Sequence, residues 1–132
     1  MKLREFFDRD AIDLDLASEV IVDESASLDA DTEVTIEGWI QLDAIPGGGG
    51  SGRVGVFDNN GQYSLFIGFQ GDVRCSGHDS GNGLITTGAW IHVACVHSET
   101  LGTTEIYING VDQGGGALIA PLSTPAAHRA PP

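Results

Sequence analysis

The sequence predicts an all-β fold in which two antiparallel sheets pack as a sandwich or jelly roll. Short segments alternate apolar and polar residues with a period of two, which is typical of strands that bury one face. Turn residues separate these segments, and the 19 glycines follow no fixed repeat. No long segment shows the 3.6-residue period of an amphipathic helix. Segments that each carry one apolar face need a second layer to bury it, which favours two sheets over one.

The first half of the chain contains one strong strand pattern and two weaker ones. Apolar residues alternate with aspartates over residues 12–16, and residues 20–22 are apolar, so both segments are predicted as strands. The clearest strand covers residues 33–42, whose even-numbered positions form the buried face. Trp39 lies on the opposite, polar face of that strand. The glycine-rich residues 47–52 are predicted as a mobile loop.

The second half contains six more strand patterns separated by turns. Strands at 54–57 and 63–69 flank Asp58-Asn59-Asn60-Gly61, whose residues tolerate positive φ, so they are predicted to form a hairpin. Asn109-Gly110 is a strong two-residue hairpin signal. The remaining elements are predicted as strands at 73–75, 90–97, 103–108 and 111–113, and a polar, glycine-rich loop at 76–83.

Length and charge exclude several classes of function. A chain of 132 residues has the size of one domain. Its formal net charge of -13 excludes nucleic acid as a partner, because such binding depends on Lys and Arg, and disfavours an anionic membrane surface. No segment approaches the roughly 18 apolar residues of a membrane span, so no membrane insertion is expected. The first ten residues contain no apolar run, so no signal peptide is expected in this chain.

The acidic residues and the two cysteines each allow two interpretations. Most of the acids precede Ala44. They suit a solvated surface with turns, and a metal cluster is the alternative. Cys75 and Cys95 are too few for a zinc site or a disulfide framework. We interpret them as buried thiols, with one bridge between strands as the alternative, so the redox compartment is left open.

Four motifs, taken together, identify a family resemblance. They are Ser27-Leu28-Asp29, Thr35-Ile36-Glu37-Gly38-Trp39, Trp90-Ile91-His92-Val93-Ala94 and Ile106-Tyr107-Ile108-Asn109-Gly110. In this order and spacing, residues 18–120 resemble the laminin-G-like, concanavalin A-like lectin/glucanase domain, which is a jelly-roll sandwich. We therefore expect such a domain over residues 12–120, an N-terminal arm over residues 1–11 and a Pro-rich tail over residues 121–132.

The tail departs from the family pattern. Family members usually continue into further strands, whereas Pro121, Pro125, Pro131 and Pro132 exclude a regular central strand here. We therefore expect one or more C-terminal strands to be missing. An unpaired, apolar edge strand would then favour self-association.

The resemblance implies a non-catalytic binding or adhesion module that recognises carbohydrate or a protein partner through its rim loops. A structural spacer domain of a larger extracellular protein is one alternative, and a degenerate glycoside hydrolase of the same sandwich class is another. The expected location is extracellular or at the cell surface, as part of a larger protein.

Candidate ligand-binding residues lie on one strand and in one loop. Trp39, on the polar face of its strand, is either a stacking platform for a sugar or peptide or a cover for the second layer. His78, Asp79 and Asn82 lie in the polar loop, which is placed to line a site at the rim.

Asp58, Asn59 and Asn60 are the candidate calcium ligands. The resemblance implies calcium at a rim loop, and this turn is rich in side-chain oxygens. Calcium takes six to eight oxygen ligands, some of them backbone carbonyls. The turn conformation alone also explains these three residues. Calcium is thus the one cofactor that the sequence suggests.

The nearest approach to a catalytic motif is formed by Asp13, Asp15 and Glu19. Glucanases of this sandwich class carry Glu-x-Asp-x-x-Glu on one strand, where one carboxylate acts as nucleophile and another as acid. Here the first residue is Asp, Glu19 comes one position late, and the segment precedes most of the resemblance. No nucleophile–base motif, phosphate loop or zinc spacing is present. We therefore expect no enzymatic activity.

Overall fold

The structure is a computed structural model that describes residues 11–15, 18–23, 25–30, 32–47, 52–59 and 62–122. Residues 1–10 of the predicted arm lie outside the described residues, as do residues 123–132 of the predicted tail. The domain boundaries predicted at residues 12 and 120 therefore stay predictions.

Eight strands and one turn of 3₁₀ helix make up the described fold. The helical turn is Ala26–Leu28, and the strands are β1 (Glu33–Ile40), β2 (Arg53–Asn59), β3 (Tyr63–Gly68), β4 (Val73–Cys75), β5 (His78–Asp79), β6 (Ile91–Ser98), β7 (Thr103–Ile108) and β8 (Val111–Ala117). The first sheet has the order β1-β6-β7-β8 and the second has the order β2-β3-β4-β5. Neighbouring strands are antiparallel in both sheets. The predicted all-β, two-sheet architecture is confirmed.

Side chains from both sheets form the core. Leu65, Ile67 and Val73 of the second sheet and Val93 and Ile106 of the first are at most 1% exposed. They occupy alternate positions of their strands, as the period-two pattern requires. The alternation in β1 also holds, since its residues switch regularly between exposed and partly buried. Burial of these side chains between two layers is the main stabilising contribution in such a fold.

The two cysteines lie at the centre of this core and are joined in a disulfide. Cys75 is the last residue of β4 and Cys95 lies in β6, so the bond links the second sheet to the first. Our preferred interpretation as free thiols is wrong, and the alternative of one bridge is right. The reason is that the packing of the sheets brings two core-facing positions within a Cα–Cα distance of 5.7 Å.

Both predicted hairpins are present. β2 pairs with β3 from Arg53 opposite Gly68 to Asn59 opposite Tyr63. β7 turns into β8 at Asn109 and Gly110, which have φ values of 50° and 77°. Two successive residues with positive φ match the right-handed twist of the flanking strands, and Asn-Gly adopts this conformation readily.

The two strands predicted before residue 25 are wrong. Residues 12–15 and 20–22 belong to no strand, and their large apolar side chains are exposed. Alternation shows only that a segment could form a half-buried strand, whereas a strand also needs a neighbour for its backbone N–H and C=O groups. Within the described chain, no ladder provides that neighbour for these residues.

Two elements in the second half also differ from expectation. His78 and Asp79 form the short strand β5 inside the segment predicted as a loop. They pair with Cys75 and Arg74 of β4 across a tight turn. β8 extends to Ala117 rather than ending at residue 113, because backbone pairing with β7 continues through glycines that carry no alternation signal.

A second, smaller cluster closes one end of the sandwich. It contains Ala30, Tyr63 and Leu122, and Leu122 is 1% exposed. The buried Gln62 amide donates to the backbone oxygens of Ala30 and Leu122 and so ties both segments to the β2–β3 hairpin. None of the described residues belongs to a helix long and apolar enough to cross a membrane.

Candidate binding surface

The outer face of the first sheet gathers aromatic and acidic side chains. Residues paired across an antiparallel ladder project from the same side of the sheet. Trp39 of β1 is thus paired with His92 of β6, and Tyr107 of β7 with Asp112 of β8. We call this surface the Trp39 face, and it is formed by Glu37, Trp39, His92, Glu105, Tyr107 and Asp112.

Trp39 is the most exposed aromatic side chain of this face, at 49%. Its ring meets the ring of His92 edge-on, with the centroids 5.3 Å apart and the planes at 65°. The main chain of His92 is held in place, because its backbone N–H donates to Asn109 Oδ1 at 2.9 Å. Its Nε2 lies 3.7 Å from a carboxylate oxygen of Glu37. The indole is therefore positioned by its neighbours while part of its surface faces solvent.

Tyr107 and Glu105 form a second polar group on the Trp39 face. The Tyr107 hydroxyl donates to Glu105 Oε2 at 2.9 Å. This hydrogen bond, with the charge of Glu105, raises the pKa of Tyr107 above its ordinary value. The phenol therefore keeps its proton, and both residues present hydrogen-bonding oxygens on the same side of the sheet as Trp39.

The electrostatics of the two sheets differ. The Trp39 face carries the carboxylates of Glu37, Glu105 and Asp112. The two arginines of the described chain, Arg53 and Arg74, both belong to the second sheet. The Trp39 face is thus a surface of hydrogen-bond acceptors around aromatic rings, which suits ligands that offer hydroxyl, amide or ammonium donors.

The predicted rim residues lie in and after β5. His78 Nε2 is 2.7 Å from the backbone oxygen of Ala117, which links β5 of the second sheet to β8 of the first. Asp79 Oδ1 is 3.9 Å from Arg74 Nε. Asn82 is exposed in the turn that follows. His78 thus makes a contact that holds the two sheets together, and the three residues stay untested as ligand-binding residues.

The predicted calcium turn is only partly described, because Asn60 lies outside the described residues. The Asn59 amide donates to Leu28 O and to Gln62 Oε1, both at 3.1 Å, and Asp58 is exposed. These two side chains supply few of the six to eight oxygens that calcium needs. Among the described residues, no group of three His, Cys, Asp or Glu is placed to hold a metal. The calcium turn therefore stays a prediction.

Comparison with known families decides the classification. Residues 16–130 match the laminin-G-like family described as the concanavalin A-like lectin/glucanases superfamily. The chain belongs to this superfamily. Comparison with curated proteins and with solved structures finds no match. Because the match covers most of the chain, the resemblance inferred from the four motifs is confirmed.

This laminin-G-like domain is, at the general level, a carbohydrate- or protein-binding module. Its predicted site residues do not come together in one place. Trp39 is in the first sheet, whereas Asp58 and His78 are in β2 and β5, the opposite edge strands of the second sheet. The domain therefore offers separate candidate surfaces, of which the Trp39 face has the most complete set of neighbouring aromatic and polar groups.

Sequence reasoning missed most residues of the Trp39 face. Glu105 and Tyr107 alternate with buried residues in β7, so the pattern does place them on an outer face. What the pattern lacks is the strand order, which brings Tyr107 into the same row as Glu37. That row becomes visible only when β1, β6 and β7 are paired.

Proposed function

We propose that this domain is a non-catalytic module that binds glycan through the Trp39 face. The observation that carries the proposal is the half-exposed Trp39 ring, fixed edge-on by His92 and bordered by Glu37. Sugar rings present apolar C–H patches and a rim of hydroxyl groups. An aromatic surface bordered by carboxylates complements both features.

Physical arguments favour this surface over the rim. A pre-organised ring loses little side-chain entropy on binding, so its contact area contributes to affinity. Hydroxyl donors form short, charge-assisted hydrogen bonds with carboxylates such as Glu37 and Glu105. At the rim, by contrast, the ring of His78 is already engaged with Ala117. A protein partner that places a polar loop on the Trp39 face is the second candidate, because the same chemistry accepts backbone amides.

The absence of catalysis is part of the proposal. A retaining glycosidase needs two carboxyl groups roughly 5–5.5 Å apart on either side of the bond that it cleaves. The carboxylates of the glucanase-like pattern, Asp13, Asp15 and Glu19, are exposed, and none of these three residues belongs to a strand. They therefore lack the strand that places such carboxylates on one face in glucanases of this class, which supports a binding role.

We also propose that the domain functions outside the cytoplasm, at the cell surface or in the extracellular space. The buried disulfide between Cys75 and Cys95 supports this location, because structural disulfides form and persist in oxidising compartments. Mass determination after blocking of thiols would test the bond. Free thiols in protein isolated from its native source would contradict the proposed location.

A glycan array, probed with and without calcium, tests the binding function. Hits are then measured by calorimetry with Trp39→Ala and Trp39→Phe, and with Leu101→Ala as a control, since Leu101 is an exposed apolar residue in the turn between β6 and β7. We expect Trp39→Ala to weaken binding by about tenfold or more, Trp39→Phe to keep part of it, and Leu101→Ala to change nothing.

Three outcomes would contradict the proposal. Binding that Trp39→Ala leaves intact moves the site away from this face. Silence across glycans together with Trp39-dependent capture of a purified protein partner favours the second candidate. If the domain binds neither glycans nor a protein partner, the result favours a structural spacer. Far-UV circular dichroism and urea denaturation of each variant must first show that the fold is unchanged.

A further inference from the structure

Three consecutive β-branched residues are exposed just before the 3₁₀ turn. Val20, Ile21 and Val22 are 59%, 76% and 67% exposed. They have high strand propensity, and Glu19 and Asp23 flank them. A short apolar segment of this kind, outside any ladder, is expected to pair with an open sheet edge.

Four strands of the described chain have an open edge, and three of them fit poorly. β5 is only two residues long. β8 is irregular, because Gly114 and Gly115 have positive φ. β1 carries Glu33 and Glu37, which would repel an acidic segment. The edge of β2 remains.

β2 offers a cation and exposed apolar side chains to an incoming strand. The Arg53 guanidinium lies 4.1 Å from the centroid of the Phe66 ring, and no carboxylate of the described chain lies within 4.0 Å of it. Val56 and Phe57 are partly exposed, and Phe57 stacks on Tyr63 at 5.7 Å. β2 thus combines positive charge with apolar surface that nothing in the described fold covers fully.

The alternation of residues 19–23 matches the two sides of β2. In an extended strand Val20 and Val22 project to one side, and Glu19, Ile21 and Asp23 to the other. If Val20 and Val22 lie beside Phe57 at the edge of the core, Glu19 and Asp23 lie on the same side of the sheet as Arg53. Asp58, near the end of β2, repels Glu19 and Asp23 because all three carry negative charge. This repulsion favours registers that place Glu19 and Asp23 near Arg53.

We propose that residues 18–23 of a second copy of this chain add as a strand to the open edge of β2. The segment cannot easily pair with β2 of its own chain in the antiparallel orientation. Its continuation is anchored at the end of β2, where Leu28 O accepts hydrogen bonds from Asn59 Nδ2 and from the Tyr63 hydroxyl. Laid beside its own β2, the segment would run parallel to it.

A two-fold related copy removes this constraint. The ladders of the second sheet are antiparallel, and a segment from a partner molecule can continue that pattern. Reciprocal exchange of the segment then gives a closed, symmetric dimer. The bulge between Gly55 and Phe57 divides β2 into two short halves, so few backbone hydrogen bonds form and the dimer is expected to be weak and concentration-dependent.

The dimer leaves the Trp39 face open, because that face belongs to the first sheet. Two such faces in one particle would bind a repeating polymer more tightly than one. This consequence depends on the proposed glycan function, whereas the dimer itself does not, so the experiment that follows uses no glycan.

Sedimentation velocity of the full chain over micromolar to millimolar concentrations tests the proposal. We expect a reversible monomer–dimer equilibrium. Val20→Ser with Val22→Ser, and separately Arg53→Glu, should weaken the dimer by about tenfold or more. Leu101→Ser is the matched control for a lost exposed apolar side chain and should leave the equilibrium unchanged.

A charge exchange makes the test specific. Arg53→Glu in one chain and Glu19→Arg with Asp23→Arg in another should each lower self-association, and mixing the two chains should restore dimers. A wild-type chain that stays monomeric at every concentration would overturn the proposal. So would dimers that the valine substitutions leave intact, or valine substitutions that lower the thermal stability of a monomer, which would indicate pairing within one chain.

Discussion

Cys75 and Cys95 lie opposite each other across the interface between the two sheets, with their Cα atoms 5.7 Å apart, and a disulfide joins them. Both residues are fully buried. The bond closes a loop with a sequence separation of 20 residues, and it fixes β4 against β6. The short strand β4 has only three residues, so few backbone hydrogen bonds hold it. The disulfide therefore stabilises the position of β4 in the sandwich.

Removing the disulfide should lower the free energy of unfolding by about 3 kcal/mol. A cross-link of this loop length restricts the unfolded chain, and its loss restores that entropy. Urea denaturation of the wild type with and without a reductant, and of Cys75→Ser with Cys95→Ser, measures the change. The double variant should be insensitive to the reductant. A wild type whose midpoint the reductant does not move, under conditions that reduce it fully, would contradict the structural role of the bond.

The buried carboxylate of Asp72 should make Arg74 important for stability. Arg74 Nε lies 2.7 Å from an oxygen of Asp72, which is 2% exposed. That hydrogen bond raises the pKa of the guanidinium. Arg74→Met should cost about 2–3 kcal/mol, because it leaves a buried charge without its cation. Asp79→Asn removes a more distant and exposed partner and should cost about 0.5 kcal/mol or less. Equal losses in urea denaturation would contradict this assignment.

The fold was predictable because its strands follow local rules. Alternation identified β1, β3, β6 and β7, and the Asn109-Gly110 turn gave the last hairpin. The segments before residue 25 show the limit of those rules. Residues 12–15 alternate as regularly as β1, and residues 20–22 are all β-branched, yet no neighbouring strand of the described chain pairs with either segment. Pairing depends on tertiary arrangement, which a local pattern does not contain.

The candidate surface was less predictable than the fold. The sequence predicted Trp39 on the polar face of its strand, and the structure shows that this side chain is exposed. Tyr107 and Asp112 are far from Glu37 in sequence, and they share a row of the sheet with it only because of the strand order β1-β6-β7-β8. The disulfide was predicted only as the alternative to buried thiols for the same reason, because its two positions meet only when the sheets stack.

The turn between β7 and β8 should depend on glycine at its second position. Gly110 has a φ of 77°, and an added Cβ would meet no atom within 4 Å. Gly110→Ala should therefore cost about 1 kcal/mol through backbone conformation alone. Gly38→Ala is the matched control, because that site is also open but has no positive φ, and it should be neutral or stabilising. Thermal denaturation compares the two, and a larger loss for Gly38→Ala would refute the argument.

The buried imidazole of His97 should make the domain less stable in mild acid. The side chain is fully buried, and its Nδ1 is 2.9 Å from Thr104 Oγ1. Its Nε2 is a buried polar atom without a hydrogen-bond partner among the described residues. Burial, with a smaller effect from the nearby His78, lowers the pKa of His97 below its ordinary value of 6.5. A protonated ring would place a charge in the core, and its Nε2–H would have no acceptor among the described residues.

The direction of the pH effect follows from which state binds the proton first. Above pH 6.5 His97 is neutral in both states, and stability is at its full value. As the pH falls below 6.5 the unfolded chain takes up the proton while the folded chain does not, so stability declines by up to about 1.4 kcal/mol per pH unit until the folded-state pKa is reached. Urea denaturation between pH 7.5 and pH 5, above the range where most carboxylates titrate, measures this slope. His97→Gln should flatten it, whereas His92→Gln, on the outer face, should leave it unchanged. A slope that survives His97→Gln but disappears in His78→Gln would assign the effect to His78 instead.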